Sequence, residues 1–409
     1  MTRPARAAIV AIYHATFPTA PDWHEGPLPF RHGDVLSDTA ARSTYYSRRT
    51  ARILYGTADR ARRWHKPLDH PVGRLRVIGL EAIRLSDEPN ASGLVVVHLD
   101  AARSNPLRVI RALARRQGAQ LDGFDPRGLL GEQAIVESDV PYTLAFVTAT
   151  GRRLPRLYRH PRYALWPTTD QWLWALASRT NGTDHPPDPR DVPGVWRAAS
   201  DFEGIRMSAD WRGLVLRSGT ALVGCRSDDG AKDPFYNHAE VYVHSIYLDA
   251  VLIGILQFHG IGQLEDALAS ALDDPPQTSM AELEQRVTIF RNELWWQHLS
   301  THGVPNQILG AYQRQHRLHE RFDRVLTEIS DFNRMARDNE KRHVNNALVL
   351  FTLTTVPVSI ALALLQALGS HNPWTFGVVL AACVILTAAL LATRTARVVL
   401  RSIRKRLSI

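Results

Sequence analysis

The sequence predicts an α+β cytosolic region, a long coiled-coil-like stalk helix and a C-terminal hairpin of two transmembrane helices. Three observations lead to this fold class. Residues 343–393 contain no Asp, Glu, Lys or Arg over 51 positions. A narrow repeat of apolar side chains occupies residues 304–344, directly before that stretch. Upstream, short β-branched runs are mixed with helical patterns, which is typical of a domain that contains both strands and helices.

Residues 1–190 are predicted to form a cytosolic α/β domain. Pro106–Gly118 carries apolar side chains at steps of three, which predicts a one-sided helix with a proline in its first turn. The apolar run near the N-terminus is too short for a secretory signal and is better interpreted as a strand. Four runs rich in β-branched and aliphatic residues predict buried strands, namely Ala7–Tyr13, Leu75–Leu80, Gly93–Leu99 and Tyr142–Thr148.

A second unit, residues 195–300, comes after a segment that is rich in proline and glycine. That segment, 181–194, has four prolines and two glycines, which predicts either a domain boundary or a long surface loop. Trp211–Gly224 then has the pattern of a β-hairpin that turns at Ser218-Gly219.

The rest of this unit is predicted to be helical. Ala239–Leu272 is apolar nearly all round and is long enough to cross a membrane. It contains His244 and Asp249, which are costly at the centre of a bilayer, so the pattern favours a buried cytosolic helix over a third span. A further helix is predicted over Met280–Ser300, and its Leu294-Trp295-Trp296 is interpreted as packing rather than as a ligand cage.

Residues 304–344 are predicted to form a stalk helix. Apolar residues recur there at alternating steps of three and four over about four heptads, which is the a/d pattern of a coiled coil. We therefore expect copies of the chain to associate through this seam. An amphipathic helix packed on its own domain is the open alternative, since it gives a similar stripe. The seam residues are Leu318, Phe322, Val325, Ile329 and Phe332.

The hairpin occupies residues 345–393, with spans predicted over 347–368 and 374–393. Each span would cover roughly 30 Å, the thickness of the hydrocarbon core of a bilayer. The spans are joined by a short uncharged outer loop, Gly369-Ser370-His371-Asn372. Basic residues flank the hairpin on both sides, so we expect a multi-pass protein of the cell membrane with both termini in the cytoplasm.

The tail, residues 394–409, is basic and is expected to contact lipid headgroups. It supplies six of the net +9 charges, and the remaining chain is too evenly charged for a nucleic-acid surface. Cys225 and Cys383 are the two cysteines, which gives no disulfide framework. The cations assigned to lipid headgroups are Arg394, Arg397, Arg401, Arg404, Lys405 and Arg406.

The first span carries polar residues at intervals of seven. In lipid, such side chains turn toward a neighbouring helix or toward water. They are therefore candidates for lining an axial pore, and hydrogen bonding between helices is the alternative. The residues concerned are Asn345, Thr352, Ser359 and Gln366, with Thr355 on the same side.

The layout resembles that of CorA-type divalent-cation transporters. The local match is Pro357-Val358-Ser359 in the first span, with Asn345 and Asn346 at its entrance, and it covers the last third of the chain. The resemblance implies a homo-oligomer whose first span lines the pore. The Gly-Met-Asn signature of that family, which meets hydrated Mg²⁺, is replaced here by Gly369-Ser370-His371-Asn372, so magnesium selectivity is not implied.

Motifs for catalysis, metal binding or cofactor binding are missing from the sequence, and we expect no enzyme and no cofactor. Two histidine pairs, His298/His302 and His316/His319, have helical spacing but lack a third ligand type beside them. The sequence instead favours an oligomeric membrane channel, transporter or effector with a cytosolic sensing domain. The alternative is a non-conducting, membrane-anchored scaffold or receptor for a cytosolic protein. The Arg- and Ala-rich composition of the chain suggests a bacterium with a high-GC genome. The two-span layout resembles that of membrane proteins which such genomes encode beside caspase-like and tetratricopeptide-repeat proteins in conflict systems.

Overall fold

The four predicted strands of the N-terminal region are present in the computed structural model, and each extends beyond its predicted bounds. The longest, β1, runs over Pro4–Phe17, and its central side chains are buried on both faces. Apart from small gaps, the structure describes most of the chain up to residue 332 and part of the remainder. The described residues are 4–332 without 58, 116–120, 122, 152–153, 165, 181–184, 186, 188–202, 274–279 and 297, then 334, single positions between 348 and 366, and 373–391.

Fourteen strands are assigned among these residues. Most are short edge or turn strands, and the long ones form the centre of the main sheet. They are β1 (Pro4–Phe17), β2 (His24–Glu25), β3 (Phe30–His32), β4 (Val35–Ser37), β5 (Gly56–Thr57), β6 (Arg60–Ala61), β7 (Arg63–Val72), β8 (Leu75–Arg84), β9 (Ala91–Asp100), β10 (Ile135–Val136), β11 (Tyr142–Ala149), β12 (Glu203–Arg206), β13 (Trp211–Leu216) and β14 (Gly219–Ser227).

Five of the described helices begin after a residue whose side chain satisfies free N–H groups of the first turn. Three of these capped helices continue with proline, which suits the first helical position. The caps of α1 to α4 and of α6 are Asp38, Ser47, Asn105, Asp125 and Asp233. The helices are α1 (Thr39–Tyr45), α2 (Arg48–Tyr55), α3 (Pro106–Leu113), α4 (Pro126–Leu130), α5 (Thr168–Ser178), α6 (Pro234–Val243), α7 (Ile246–Asp273), α8 (Met280–Glu293), α9 (Gly303–Gln315), α10 (318–332) and α11 (Pro373–Leu391).

The main sheet has the strand order β12-β13-β14-β11-β1-β9-β8-β7-β2, with β10 paired to the end of β1. Ile9 on β1 lies between Leu99 on β9 and Ala145 on β11, and both pairings are antiparallel. The pairing of β11 with β14 is parallel. A parallel pair needs a crossover connection, and α5, which packs on β13 and β14, lies within it.

The proline-rich segment does not separate two sheets. The predicted hairpin after it forms as β13 and β14, which turn at Arg217-Ser218, one residue earlier than predicted. β14 then pairs with β11, which precedes the segment. The regions predicted as separate domains, 1–190 and 195–300, therefore share one sheet, and Met1–Val325 is one compact unit. Proline content indicates an irregular backbone but carries no information on which strands pair across it.

The long apolar helix is divided into α6 and α7. The N–H of Ser245 bonds the carbonyl of Tyr242, three residues back, which interrupts the α-helical pattern at His244-Ser245. Among the described residues, this stretch, Pro234–Ala271, is the one helical segment long and apolar enough to cross a membrane, and 89% of its most apolar window is buried inside the fold.

A buried ionic network attaches α7 to the sheet. The Asp249 carboxylate on α7 accepts hydrogen bonds from Arg63 Nη1 at 2.6 Å and from the Tyr55 hydroxyl at 2.6 Å. Arg42 Nη1 lies 3.5 Å from the same carboxylate, and Arg63 Nη2 donates to Glu81 at 2.5 Å. Arg42, Arg63, Glu81 and Asp249 are all fully buried, so two cations face two anions away from water.

The network favours the charged forms of Glu81 and Arg63. Burial alone would raise the pKa of Glu81, but Arg63, His98 and Arg42 hold that pKa below its ordinary value. Burial alone would lower the pKa of Arg63, but Asp249 and Glu81 raise it. Each of the four buried charges in the network has an opposite partner. The network therefore fixes the positions of the helices and strands that carry these four side chains.

The predicted stalk is not one continuous helix. α9 ends at Gln315, and Arg317 adopts a left-handed conformation with φ 51° before α10 begins. The predicted seam also packs within the chain. Leu318, Phe322 and Val325 are buried, and the Phe322 ring lies 4.8 Å from that of Trp295 and 5.2 Å from that of Phe290 on α8.

Leu318, Phe322 and Val325 therefore have partners within one chain, and self-association through the seam stays a prediction. An a/d repeat describes any helix with a narrow buried face, and here the partners are helices of the same chain. Of the other seam residues, Ile329 is buried and Phe332 is half-buried. Up to Val325, the structure supports the alternative of an amphipathic helix packed on its own domain, and residues 333 and 335–344 of the predicted stalk lie outside the described residues.

The ionic network gives a prediction about stability. Asp249→Asn should lower the free energy of unfolding by about 3–5 kcal/mol, because two buried guanidinium groups would lose their shared counter-charge. Asp266→Asn is the matched control, since Asp266 is exposed on the same helix, and it should change stability by less than about 0.5 kcal/mol. Urea unfolding of the full chain, followed by circular dichroism, measures both. Equal unfolding midpoints for Asp249→Asn and the wild type would contradict the assignment.

Candidate functional site

A cavity of about 240 Å³ lies where one end of the sheet meets α7 and α9. β1 contributes His14, α7 contributes His259, and α9 contributes Tyr312. The cations come from loops: Arg179 follows the last residue of α5, and Arg217 lies in the turn between β13 and β14. Side chains from five separate stretches of sequence therefore meet at one point.

His14 and His259 both line the cavity. Their imidazole rings are in direct contact, with ring centroids 3.3 Å apart and planes tilted by 48°. Burial lowers the pKa of His14 to about 4, although Glu137 opposes this shift. Burial, together with His14 and Arg321, lowers the pKa of His259 to about 3. Both rings are therefore neutral at pH 7, and each offers one donor and one acceptor.

The fixed positive charges of the cavity are Arg179 and Arg217. Arg179 takes a left-handed conformation with φ 60° at the end of α5, and its Nη1 donates to the carbonyl of Pro141 at 2.5 Å. Its Nε is buried and has no hydrogen-bond partner among the described residues. Burial lowers the pKa of Arg179, against the opposing effects of Tyr142 and Tyr13. The Nε of Arg217 donates to the carbonyl of Gln315 at 3.1 Å.

Two tyrosines line the opposite wall. The Tyr142 hydroxyl lies 2.8 Å from the hydroxyl of Thr220, and its ring contacts that of Tyr312 edge-on at 5.4 Å. Burial raises the pKa of both tyrosines. Gly254 on α7 allows the close approach of Tyr312, because a Cβ at this glycine would lie 2.6 Å from the tyrosine ring. The wall is thus fixed by packing rather than by loop position.

The cavity has the chemistry of a site for a small anion. Arg179 and Arg217 supply charge, the neutral histidines can accept or donate one hydrogen bond each, and Ile12, Ile255 and Phe258 supply apolar walls. An anion placed there would favour the protonated imidazoles, so its binding would be coupled to proton uptake. Convergent polar groups with shifted pKa values in a concave site are typical of a functional site.

The predicted pore residues do not meet in a described site. Thr355, Ser359 and Gln366 are exposed, while Asn345 and Thr352 lie outside the described residues. The Thr355 hydroxyl donates to the carbonyl of Phe351 at 2.8 Å, and the Ser359 hydroxyl donates to that of Thr355 at 2.8 Å. Both hydroxyls are satisfied by their own helix, so neither needs a partner helix or water.

The remaining predicted membrane elements are described only in part. α11 coincides with the second predicted span, 374–393, but most of the first span, 347–368, lies outside the described residues. The outer loop, Gly369-Ser370-His371-Asn372, and the tail, 394–409, also lie outside them. The hairpin, its loop and the lipid contacts of the tail therefore stay predictions.

Neither histidine pair with helical spacing belongs to a described cluster of three metal-ligating side chains. His316 stacks on Tyr312 at 4.3 Å and also contacts Phe258, while His319 lies against Trp295. Burial, with Arg217 and Arg321, lowers the pKa of His316 to about 4. Within the part of the chain that the structure describes, no cluster of three metal-ligating side chains occurs.

Sequence reasoning missed the cavity because its residues share no motif. His14 and His259 are 245 positions apart, and each is a single histidine in an apolar run. One available signal was the interruption of two otherwise apolar patterns by these histidines. That signal is weak in a chain with 17 histidines.

No family model, curated protein or solved structure matched this chain. The likenesses to CorA-type transporters and to conflict-system membrane proteins therefore stay predictions from the sequence.

The cavity gives a prediction about pH. The folded-state pKa values of His14 and His259 lie below the ordinary value of 6.5, so between these values the unfolded chain binds more protons. Their contribution to stability should be complete above pH 6.5 and should be lost as the pH falls toward 4. Changing both histidines to Asn should reduce the protons taken up on unfolding near pH 5 by up to about two.

The measurement is the urea midpoint of the full chain across this pH range. His70→Asn is the control, because His70 is exposed, and it should leave the pH dependence unchanged. A double variant with the same slope as the wild type would show that the two rings titrate normally in the folded protein.

Proposed function

We propose that this chain is a membrane-anchored receptor, in which the first unit (Met1–Val325) binds a small anion and the second unit (Leu326–Ile409) anchors it in the bilayer. The anion would occupy the cavity around His14 and His259. A cytosolic location of the first unit is expected from the basic residues that flank the predicted spans.

The contrast in apolar exposure between the two units carries the proposal. Among the described residues of the first unit, the large apolar side chains with high exposure are Leu36, Ile135 and Ile289. The described residues of the second unit are far fewer, yet they include nine such side chains, and exposed apolar surface marks a membrane or protein contact. These nine side chains are Leu348, Phe351, Val358, Ile360, Leu362, Trp374, Val378, Val384 and Ile385.

The helix α11 has the features of a membrane span. Its 19 residues, Pro373–Leu391, contain no charged side chain, and they would cover roughly 30 Å. Trp374, at its start, is 82% exposed and suits the membrane–water interface. α7 differs in that its apolar surface is buried within the first unit. This difference supports α11, and not α7, as a span.

A receptor is favoured over a channel by the polar residues of the first span. The pore hypothesis required that Thr355 and Ser359 obtain hydrogen bonds from water or from a neighbouring helix. Their hydroxyls instead bond the carbonyls four residues earlier, which is compatible with a lipid-facing position. An oligomeric, CorA-like channel with a cytosolic sensing domain remains the second candidate, supported by the sequence layout.

Cysteine labelling, which reports the membrane topology, tests the proposed anchor. With Cys225 and Cys383 replaced by Ser and Ala, a single cysteine at Ser370 should react with a membrane-impermeant maleimide from outside the cell. A single cysteine at Thr2 or Ser408 should react only after the membrane is opened, because basic flanks resist translocation. Labelling of either terminus in intact cells would exclude this orientation, and loss of the protein from the membrane fraction in alkaline carbonate would exclude the anchor.

A measurement of ion flux distinguishes the receptor hypothesis from the channel hypothesis. Liposomes containing the wild-type chain should carry Mg²⁺, Na⁺, K⁺ and Cl⁻ no faster than protein-free liposomes. The double variant Thr352→Leu/Ser359→Leu should insert equally well and should show the same low flux. Flux in the wild type that this variant abolishes would favour the channel, since apolar side chains close a narrow pore by dewetting.

A further inference from the structure

A second cavity, which the proposed function does not use, is lined by four arginines. Its volume is about 250 Å³, and it lies between α2, the β5–β6 turn and the end of α8. Arg49 and Arg52 come from α2, Arg60 from β6 and Arg62 from the residue before β7. We refer to these four residues and Trp296 as the arginine pocket.

The charges of the arginine pocket are not balanced. Arg60 pairs with Asp87, and Arg62 Nη2 lies 4.0 Å from Glu293, the acidic residue in the lining. Arg49 and Arg52 are three positions apart on one face of α2 and form no ion pair with a described residue. Like charges placed this close repel one another, and a bound anion would relieve the repulsion.

The arginines are held by structured elements. α2 is capped by Ser47, whose side chain accepts from the N–H of Thr50, and it ends at Gly56 with φ 86°. A Cβ at Gly56 would lie 2.1 Å from the carbonyl of Arg60, so glycine is required for this tight turn. Ile53 and Tyr55 of α2 are buried, which fixes the rotation of the helix and keeps Arg49 and Arg52 on its exposed side.

Trp296 forms an aromatic wall of the pocket and is rigidly positioned. Its carbonyl accepts hydrogen bonds from Gln257 Nε2 and Gln313 Nε2, each at 3.1 Å. Its indole N–H donates to the carbonyl of Asn292 at 3.3 Å. The neighbouring Trp295 packs against Phe322, so the two adjacent tryptophans have different roles. The packing predicted for Leu294-Trp295-Trp296 is present at Trp295.

We propose that the arginine pocket binds a nucleotide, with its phosphates on Arg49 and Arg52 and its base against Trp296. Guanidinium groups form paired, charge-assisted hydrogen bonds with phosphate oxygens, and arginines without an ion-pair partner are free to do so. An indole face can stack on a nucleotide base, whereas an inorganic anion has no aromatic ring to place there. The volume lies just below the range of about 300–1,000 Å³ typical of ligand sites, which favours a mononucleotide over a larger ligand.

Calorimetric titration of the purified full chain in neutral detergent tests the proposal, with ADP, inorganic pyrophosphate and adenosine as probes. ADP and pyrophosphate should bind, and ADP should bind more tightly. The double variant Arg49→Gln/Arg52→Gln should weaken the binding of both ADP and pyrophosphate at least about tenfold, because the loss of one charge-assisted hydrogen bond alone lowers affinity by about that factor. Arg48→Gln, on the same helix but outside the lining, is the matched control and should bind as the wild type does.

A second variant tests the contact with the base independently of the contacts with the phosphates. Trp296→Leu should weaken ADP severalfold and leave pyrophosphate unchanged. Thermal unfolding provides a check on folding, since ADP should raise the melting temperature of the wild type and of Arg48→Gln but not of the double variant.

Three results would overturn the proposal. The first is an ADP affinity weaker than about 1 mM, and the second is equal ADP binding by the wild type and the double variant. The third is displacement of ADP by phosphatidylglycerol vesicles at matched phosphate, which would assign the pocket to lipid headgroups. Each result concerns the arginine pocket alone, so the topology, flux and pH experiments on the proposed function are unaffected.

Discussion

The buried carboxylate of Asp249 determines where the most apolar helix of this chain's first unit lies. The side chains of α7 are mostly apolar on all sides, so hydrophobic burial alone distinguishes only weakly between registers of this helix. A buried charge distinguishes between them strongly, since leaving it without Arg63, Arg42 and Tyr55 costs several kcal/mol. We infer that the network selects one register for α7, and that Asp249, rather than general hydrophobicity, specifies the fold around it.

The same constraint places the wall of the His14–His259 cavity. His259 follows Asp249 by ten positions, about 15 Å along the helix axis, so fixing one end of this segment fixes the other. Gly254 lies between them and allows Tyr312 of α9 to approach α7 closely. The position of the ionic network, the contact between the helices and the geometry of the cavity are therefore consequences of one arrangement.

Two cavities with different chemistry lie on one sheet-based unit. The His14–His259 cavity combines neutral imidazoles with two arginines, whereas the arginine pocket combines four guanidinium groups with an indole. The first suits a small anion whose binding takes up protons, and the second suits phosphates joined to an aromatic base. The two proposed ligands and the proposed membrane anchor together describe a receptor better than a transport pathway.

The sequence by itself determined several local elements: the four long N-terminal strands, the β13–β14 hairpin, the helix that begins at Pro106 and the burial of α7 within the fold, which Asp249 and His244 indicated. These features depend on neighbouring residues, on their periodicity and on the cost of placing charge in lipid. Tertiary structure alone decided the pairing of β14 with β11 across the proline-rich segment, the packing of Phe322 on its own chain and the meeting of His14 with His259. Each of these depends on residues far apart in the chain, and an apolar stripe or a lone histidine has the same local pattern whichever partner it meets.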